Sequence, residues 1–409
     1  ALVFKLAFDL SAPWIEWIEL FFDELVTPAV YALLNALGAP PALGRFFAEA
    51  VVGGAGFVLT FLPLVYTIYL LITFLELSGY LPRVAFTMDR FTHKLGLQGK
   101  SVIPLVMALG CNVPAVLATR TLESFTERLV VASMIPFISC PARLVVFTFF
   151  ASVFFPDRVH LVVGGLYLLG FTAALLTGLL LKKKLRPVSP PVVIELPPYR
   201  LPPLRLLLRV AGAHAKEFVK KAGTVILAAS VVVWLLLHLP PGAPPSESLA
   251  ARTGKLLLPV FKPVGIDDWR ATASLVPGFL AREVVLSSMG VLYGVERPEP
   301  DEFKPLESLK KLGREFLEAA KRSVLAVFSP KVHALTAEEL EGGLREVIKN
   351  SFTPAKALSF MVFLLIFTSC AGTYAVMGNE LGYRWATGFL LYSFLLAWLL
   401  SFIVFRLFS

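Results

Sequence analysis

Three cysteines and one pair of charged residues are the side chains of this sequence that could do chemistry. Cys111, Cys140 and Cys370 are the only cysteines, and each lies inside or at the edge of an apolar segment. Arg282 and Glu283 stand in the middle of another apolar run. Ionisable side chains in such a setting are costly and usually face a cavity or each other. Thiolates and carboxylates together are ligands for a borderline transition-metal cation.

The first cysteine lies in an interrupted apolar segment, SVIPLVMALGCNVPAVLATR, residues 101–120. Pro114 lacks a backbone N–H and Gly110 weakens a helix, so the pattern predicts a break midway. Carbonyls freed at this break, the Cys111 thiol and the Asn112 amide together predict a cation site. The alternative is a tightly packed kink in which the cysteine behaves as a small apolar residue.

A second interrupted segment, SLVPGFLAREVVLSSMG, residues 274–290, carries the charged pair. Glu283 occupies about the place in its segment that Pro114 has in the first. This correspondence favours a cation-binding site at Glu283, near the middle of the membrane. The alternative is a structural ion pair to a neighbouring helix.

An internal repeat relates the other two cysteines. FISC at 137–140 recurs as FTSC at 367–370, and each follows one of the interrupted segments. We therefore expect Cys140 and Cys370 to lie at matching points of two helices and to project toward a shared axis. Duplicated halves with broken helices are the usual architecture of secondary transporters. The serine before each cysteine is interpreted as a helix-packing residue.

The composition requires a lipid environment. Hydrophobic residues are 56% of the 409 positions and charged residues only 16%, outside the balance of a soluble domain. Long apolar runs without strand-like alternation predict spanning helices, because backbone groups in lipid must be paired internally. The net charge of +9 comes from basic residues clustered in loops, which argues against a nucleic-acid partner. Three cysteines in apolar segments also argue against a secreted disulfide framework.

These patterns predict an all-α polytopic membrane protein with two inverted repeats, broken or re-entrant helices and about seven to nine transmembrane segments. Six uninterrupted apolar stretches are long enough to span, at residues 51–77, 128–155, 159–181, 219–239, 352–378 and 383–408. The side of the membrane that holds the polar insertion depends on whether the interrupted segments fully cross, so it stays open.

Four regions follow from this division. We expect a span or interfacial helix over 1–50, with Trp14 and Trp17 at the headgroup level. A first repeat over 51–181 precedes a basic, Pro-rich, extended linker over 182–218, which the positive-inside rule places in the cytoplasm. The second repeat covers 219–409 and contains the polar insertion 296–350.

Two weaker signals are discounted. GLQGKS, residues 96–101, lacks the first glycine of a phosphate-binding loop, and no strand precedes it, so we interpret it as a loop entering the broken segment. The five histidines are scattered, and none forms an i, i+4 pair with another. His238 ends a span, and we expect it at the membrane interface.

The chain resembles the membrane region of the FeoB family, the ferrous iron transport protein B, from about residue 51 to 390. The most specific strings are SGYLPRVAFTMDR and GCNVPAVLATR, and PFISCPARLVVF, GFLAREVVLSSMG and TSCAGTYAVMGNELGYRW follow in order. The resemblance implies a multi-pass Fe2+ importer of the bacterial cytoplasmic membrane with two Gate-type repeats. It also implies that Cys111, Cys140 and Cys370 line the ion path, and we add Asn112 and Glu283 as metal ligands.

Relatives in this family usually carry an N-terminal GTPase domain, which these 409 residues do not contain. We therefore expect a transporter and not an enzyme, with Fe2+ as the substrate and no nucleotide site in this chain. The expected partners are membrane lipid, a missing or separate GTPase domain and a small FeoA-like protein, and assembly into a homo-oligomer stays open. Relatives often have a proline before the last cysteine, where this chain has Ser369, which puts the local helix break in doubt.

Two other functions remain as alternatives. Gate-type repeats are shared with nucleoside carriers, so a nucleoside or other small solute is the second transport hypothesis. An intramembrane thiol enzyme using Cys140 would need a base, and no histidine lies deep in a predicted span.

Overall fold

A computed structural model describes residues 2–38, 40–95, 97–185, 198–240, 245–280, 282, 284–294, 305–326, 338–367 and 370–409. Every regular element in this part of the chain is a helix, which confirms the all-α prediction. The first ten helices are α1 (Leu2–Phe21), α2 (Thr27–Ala36), α3 (Pro41–Arg45), α4 (Gly53–Leu77), α5 (Tyr80–Thr92), α6 (Val102–Ala108), α7 (Asn112–Ala118), α8 (Phe125–Met134), α9 (Pro141–Phe154) and α10 (Val159–Leu185). The second ten are α11 (Leu204–Phe218), α12 (Thr224–His238), α13 (Leu249–Phe261), α14 (Trp269–Leu280), α15 (Val284–Leu292), α16 (Pro305–Ala326), α17 (Glu338–Ser351), α18 (Pro354–Ile366), α19 (Ala371–Leu381) and α20 (Tyr383–Phe408).

Five helical stretches among the described residues are long and apolar enough to cross a membrane. They cover Leu43–Leu77, Phe125–Phe154, Pro156–Leu185, Pro354–Leu381 and Tyr383–Phe408. Two shorter apolar helices, Gly99–Ala108 and Leu227–His238, accompany them. The chain is therefore a multi-pass membrane protein.

The chain divides into two compact units that do not follow sequence order. The first unit is built from described residues within 1–74, 202–249 and 296–337. The second unit is built from those within 75–201, 250–295 and 338–409, and it contains all three cysteines.

In the first unit, the start of the chain packs on the polar insertion. Trp14 and Trp17 each meet the ring of Phe316 edge to face, and the Trp17 indole donates to the Leu312 carbonyl at 3.1 Å. The two tryptophans thus lie between α1 and α16, and their place at the headgroup level stays a prediction. An indole ring gains free energy from edge-to-face packing on another aromatic ring, and sequence spacing alone does not show such a partner.

The basic linker is also more ordered than predicted. Residues 204–218 form α11, whose apolar positions Leu207, Ala211 and Phe218 are buried at helical spacing. The prolines that suggested an extended chain all precede this helix, and Pro203 supplies its extended N-terminal residue.

The described part of the second unit contains four helix breaks, two of which the apolar pattern did not predict. The predicted breaks are confirmed between α6 and α7 and between α14 and α15. The other two separate α8 from α9 and α18 from α19, inside stretches that the sequence presented as single spans. Pro141 explains the first of these, because a residue before proline is pushed out of the helical region. The second occurs without proline at Ser369, a residue that lies outside the described part.

Candidate functional site

Cys111 lies at the break between α6 and α7. Its backbone is extended, with φ −157° and ψ 131°, and it is the residue that precedes the first turn of α7. The Gly110 carbonyl loses its helical donor because Pro114 has no N–H. The Cys111 carbonyl, which we expected to be freed as well, accepts from the Ala115 amide at 3.3 Å and belongs to the new helix.

Cys140 and Cys370 occupy the same position relative to their own helices. Each has an extended backbone and immediately precedes a helix, α9 for Cys140 and α19 for Cys370. The Cys370 sulfur lies 3.4 Å from the Thr373 hydroxyl. All three thiols therefore stand at the N-terminal end of a half-helix, where first-turn N–H groups lack helical partners.

Arg143 lies beside two of the thiols. Its side chain is only 1% exposed, and Nη2 donates to the Pro136 carbonyl at 2.8 Å, at the end of the helical turn that follows α8. Cys140 and Cys370 both lie within electrostatic range of its guanidinium. Both thiols thus interact electrostatically with the same buried charge, and their projection toward a shared axis stays a prediction. Arg143 itself was missed, although a charge in an apolar span was the signal that singled out Arg282.

Arg282 has the equivalent contact in the second repeat. Its two Nη atoms donate to the carbonyls of Leu364 and Phe367, at the C-terminal end of α18. A cation at that end of a helix complements the helix dipole and the unpaired carbonyls. Glu283, the predicted carboxylate ligand, lies outside the described residues.

Two buried oxygens adjoin the thiols of the first repeat. Asn112 Oδ1 and Ser139 Oγ are shielded from solvent, and neither has a hydrogen-bond partner in the described part of the chain. Buried oxygens without partners are unusual and call for a ligand or water. Ser139 therefore presents an available oxygen in addition to its predicted packing role.

The described residues contain no group of three His, Cys, Asp or Glu side chains close enough to hold one ion. A cation near Cys140 and Cys370 would also meet the charge of Arg143, so it would need negative ligands to offset that repulsion. Deprotonated thiols supply such charge. The arrangement suits a transient site with few protein ligands better than a closed structural cage.

Glu127 is a second buried charge that the sequence did not reveal. It is fully buried in α8, and Oε1 accepts from the Gln98 amide and from the Ser101 hydroxyl, each at 2.6 Å. Gln98 and Ser101 of the GLQGKS segment are thus held against α8, just before the first broken helix begins. Its partners lie 26 and 29 residues away, so local spacing gave no signal.

Glu380 joins the end of the first broken segment to α19. Arg120 forms a two-point contact with its carboxylate, and Arg128 Nη2 approaches Oε2 at 3.4 Å. The Glu380 side chain is 9% exposed. Because α7 ends beside Arg120 and α19 carries Glu380, this cluster fixes the half-helices that follow Cys111 and Cys370 against each other.

The comparisons agree on one family. The Gate family model, described as nucleoside recognition, matches residues 58–154 and 219–384, more than half of the chain. A second model, the ferrous iron transport protein B C terminus, matches residues 163–212. The chain belongs to the FeoB family. This confirms the resemblance seen in the sequence.

Relatives named FeoB extend over almost the whole chain. The Fe(2+) transporter FeoB of Staphylococcus aureus (strain MSSA476) is 33% identical over 99% of this chain, and that of Methanocaldococcus jannaschii is 34% identical over 98%. A Porphyromonas gingivalis protein named as a fusion of Fe(2+) transport protein A and FeoB is 34% identical over 99%. The chain spans 55%, 55% and 49% of these relatives, about half of their length. No solved structure matches the chain.

Proposed function

We propose that this chain is the membrane permease part of a FeoB-type uptake system and carries Fe2+ across the cytoplasmic membrane. The observation that carries the proposal is the position of Cys111, Cys140 and Cys370, each directly before a half-helix, in a chain whose relatives are named Fe(2+) transporters. Fe2+ accepts thiolate, carboxylate and amide oxygen ligands. The activity is transport and not catalysis.

The ion path in this proposal follows the broken helices of the two repeats. Cys140 and Cys370 are its central ligands, because each directly precedes a half-helix at a matching point of its repeat. Cys111 and the unpartnered Asn112 oxygen form a neighbouring station. Glu283 contributes a carboxylate. A few moderate ligands let the ion leave, which a closed cage would prevent.

The partners follow from the relatives. A GTPase domain, either in the same polypeptide or separate, would supply nucleotide-dependent energy, and no residue of this chain is assigned to GTP. The fused relative joins transport protein A to FeoB in one polypeptide, which supports a small FeoA-like partner.

Ferrous uptake into proteoliposomes tests the proposal. Purified chain is reconstituted under anaerobic, reducing conditions, and internal iron is measured for the wild type and for a variant with Cys111→Ser, Cys140→Ser and Cys370→Ser. Wild-type uptake should exceed that of empty vesicles, and the triple variant should lose most of it. A Cys→Ala triple variant that elutes as the wild type does on size exclusion controls for folding.

Uptake at the wild-type rate in both triple variants would remove the thiols from the mechanism. Absence of Fe2+ uptake by the wild type, with and without an added GTPase partner, would contradict ferrous transport itself.

A nucleoside or other small solute is the second candidate, because the Gate model is described as nucleoside recognition. Competition separates the two. Under the ferrous proposal, excess Mn2+ lowers Fe2+ uptake and nucleosides leave it unchanged. Saturable nucleoside uptake that Fe2+ does not affect would favour the alternative.

A further inference from the structure

A carboxylate and an imidazole face each other in the first unit, whereas all three cysteines belong to the second. Glu49 Oε2 lies 3.6 Å from His238 Nε2. Glu49 belongs to the π-helical turn Phe46–Val52, a type of turn that often marks functional positions, and His238 is the last residue of α12. The two residues are 189 positions apart, so only the packing of α12 brings them together.

The tautomer of His238 is set by a backbone contact. Its Nδ1 lies 3.1 Å from the Trp234 carbonyl oxygen, which can only accept a hydrogen bond. Nδ1 therefore carries the hydrogen, and in the neutral ring Nε2 directs a lone pair toward Glu49. A lone pair and a carboxylate oxygen 3.6 Å apart repel each other, and a metal ion bound to both would remove that repulsion.

Further contacts fix the orientation of the Glu49 carboxylate, as a metal ligand requires. The Trp234 indole donates to Glu49 Oε2 at 2.8 Å, and the Tyr31 hydroxyl donates to Oε1 at 3.3 Å. Outer contacts of this kind, including a ring N–H on a backbone carbonyl, orient the ligands in metal sites. Donors 3.6 Å apart can share one ion when each bond is about 2.0–2.2 Å long.

The packing beneath the pair is tight. The Ser230 hydroxyl donates to the Ala50 carbonyl at 3.0 Å, next to Glu49. A Cβ on Gly54 would lie 2.0 Å from the Ser230 oxygen, so only glycine permits this approach. These contacts hold α12 against the π turn. Glu49 and His238 keep exposed fractions of 43% and 35%, so an ion can reach them from outside.

We propose that Glu49 and His238 form a capture site for a divalent transition-metal cation, with water completing the coordination. This proposal rests on the proposed function, so the cargo is Fe2+. The ion binds at Glu49 and His238 before it enters the path lined by the thiols. Residues 182–221 carry ten Lys or Arg against two Glu, which places the start of α12 on the cytoplasmic side. The π turn Val219–Gly223 continues directly into α12, and the two together are roughly 30 Å long. His238, at the far end of this continuous helix, then faces the outside, from which an importer takes its ion.

Equilibrium dialysis of the purified full-length chain with Fe2+, under anaerobic conditions, tests the site. The background is the Cys111→Ser, Cys140→Ser, Cys370→Ser variant, so that thiols do not contribute. This background should still bind one Fe2+. Adding His238→Gln or Glu49→Gln should weaken that binding at least about tenfold, and Trp234→Phe should weaken it less because it removes an outer contact. His160→Gln, at an exposed histidine on α10, is the matched control and should leave binding unchanged.

Unchanged Fe2+ affinity in His238→Gln and Glu49→Gln would overturn the site and leave the pair as a proton-bridged ion pair. Size exclusion of each variant excludes misfolding, and Glu49→Gln keeps the shape of the side chain. Uptake measurements distinguish failure of the capture site from failure of the Fe2+ transport proposal. In otherwise wild-type chain, His238→Gln should raise the Fe2+ concentration for half-maximal uptake at unchanged maximal rate. A wild type that binds Fe2+ at this pair yet takes up none would contradict the transport proposal alone.

Discussion

In the first repeat the carbonyl of Pro136 is bonded by Arg143, a residue of the helix that follows the same break. In the second repeat the carbonyls of Leu364 and Phe367 are bonded by Arg282, which comes from the other broken helix. The same electrostatic need, a cation at the carbonyl end of a broken helix, is thus met in two ways. The carbonyl at the first break, between α8 and α9, is bonded by a residue of the same helix pair. The carbonyls at the second break, between α18 and α19, are bonded by a residue from the link between α14 and α15.

The loops that precede the broken helices also differ between the two repeats, in how each loop is held. The loop before α6 is held by the buried Glu127, which accepts from Gln98 and Ser101. The loop before α14 is held by an ion pair between Asp267 and Lys356, at 2.7 Å, with side-chain exposures of 45% and 23%. The Glu127 anchor is therefore desolvated, whereas the Asp267–Lys356 ion pair is one that water screens.

The largest predicted effect is at the buried anchor. Glu127→Ala should lower the free energy of unfolding by about 3 kcal/mol or more, because it removes two hydrogen bonds to a charged group at about 1.5–3 kcal/mol each. Lys356→Ala should lower it by less than about 1 kcal/mol, as for exposed ion pairs. Denaturant titration in detergent micelles measures both. Equal losses would show that the two anchors do not differ.

The next effect compares the two arginines. Arg282→Leu removes two bonds to α18 carbonyls and should lower stability by about 2–3 kcal/mol, and Arg143→Leu removes one and should lower it by about 1–2 kcal/mol. Arg384→Leu, at an exposed arginine, is the control and should change stability by no more than about 0.5 kcal/mol. The same denaturant titration shows which of the two substitutions lowers stability more. A larger loss for Arg143→Leu would contradict the view that the first break is self-contained.

A smaller effect is expected where the two repeats meet in the second unit. Glu380→Gln removes the charge shared by Arg120 and Arg128, and we expect a loss of about 1–2 kcal/mol, since both arginines are partly exposed. Glu123→Gln, whose pair with Lys100 is wider at 3.7 Å and more exposed, is the matched control and should lose less. Thermal unfolding followed by tryptophan fluorescence measures the difference. Indistinguishable midpoints would mean that this cluster does not join the repeats.

The smallest effect concerns a glycine beside the first break. A Cβ on Gly170 would lie 2.6 Å from the Phe137 carbonyl, whereas one on Gly164 of the same helix meets nothing within 4 Å. Gly170→Ala should therefore destabilise by about 1 kcal/mol, while Gly164→Ala should be neutral or stabilise by up to about 1 kcal/mol. Melting temperatures of the two variants, which carry the same chemical change, test the close approach of α10. A shift of the same sign and size in both would argue against it.

Much of the fold was predictable because its signals are local. Gly110 and Pro114 indicated one helix break. Pro277 and Gly278 indicated the other, although α14 continues through both residues to Leu280. The apolar content identified the lipid environment, and the repeated FxSC string related Cys140 to Cys370. The break at Cys140 was missed and the one at Cys370 was left in doubt, because an apolar run shows only that a segment is buried and not whether it is continuous.

The rest depended on contacts between distant positions. Glu127 is an ordinary first-turn acid in sequence, and only the fold brings Gln98 and Ser101 to it. Glu49 and His238 meet because α12 packs on a π turn that no sequence pattern announced. Arg143 is the exception, since a charge between PFISC and an apolar run could have been recognised by the reasoning applied to Arg282.

X-ray absorption at the iron edge, on Fe2+-loaded chain under anaerobic conditions, tests the thiol path most directly. The sample is the Glu49→Gln, His238→Gln chain, so that iron is not held at the outer pair. The account predicts sulfur in the first coordination shell, lost in a further Cys140→Ser, Cys370→Ser variant. A shell of oxygen and nitrogen alone, identical with and without these two thiols, would contradict it.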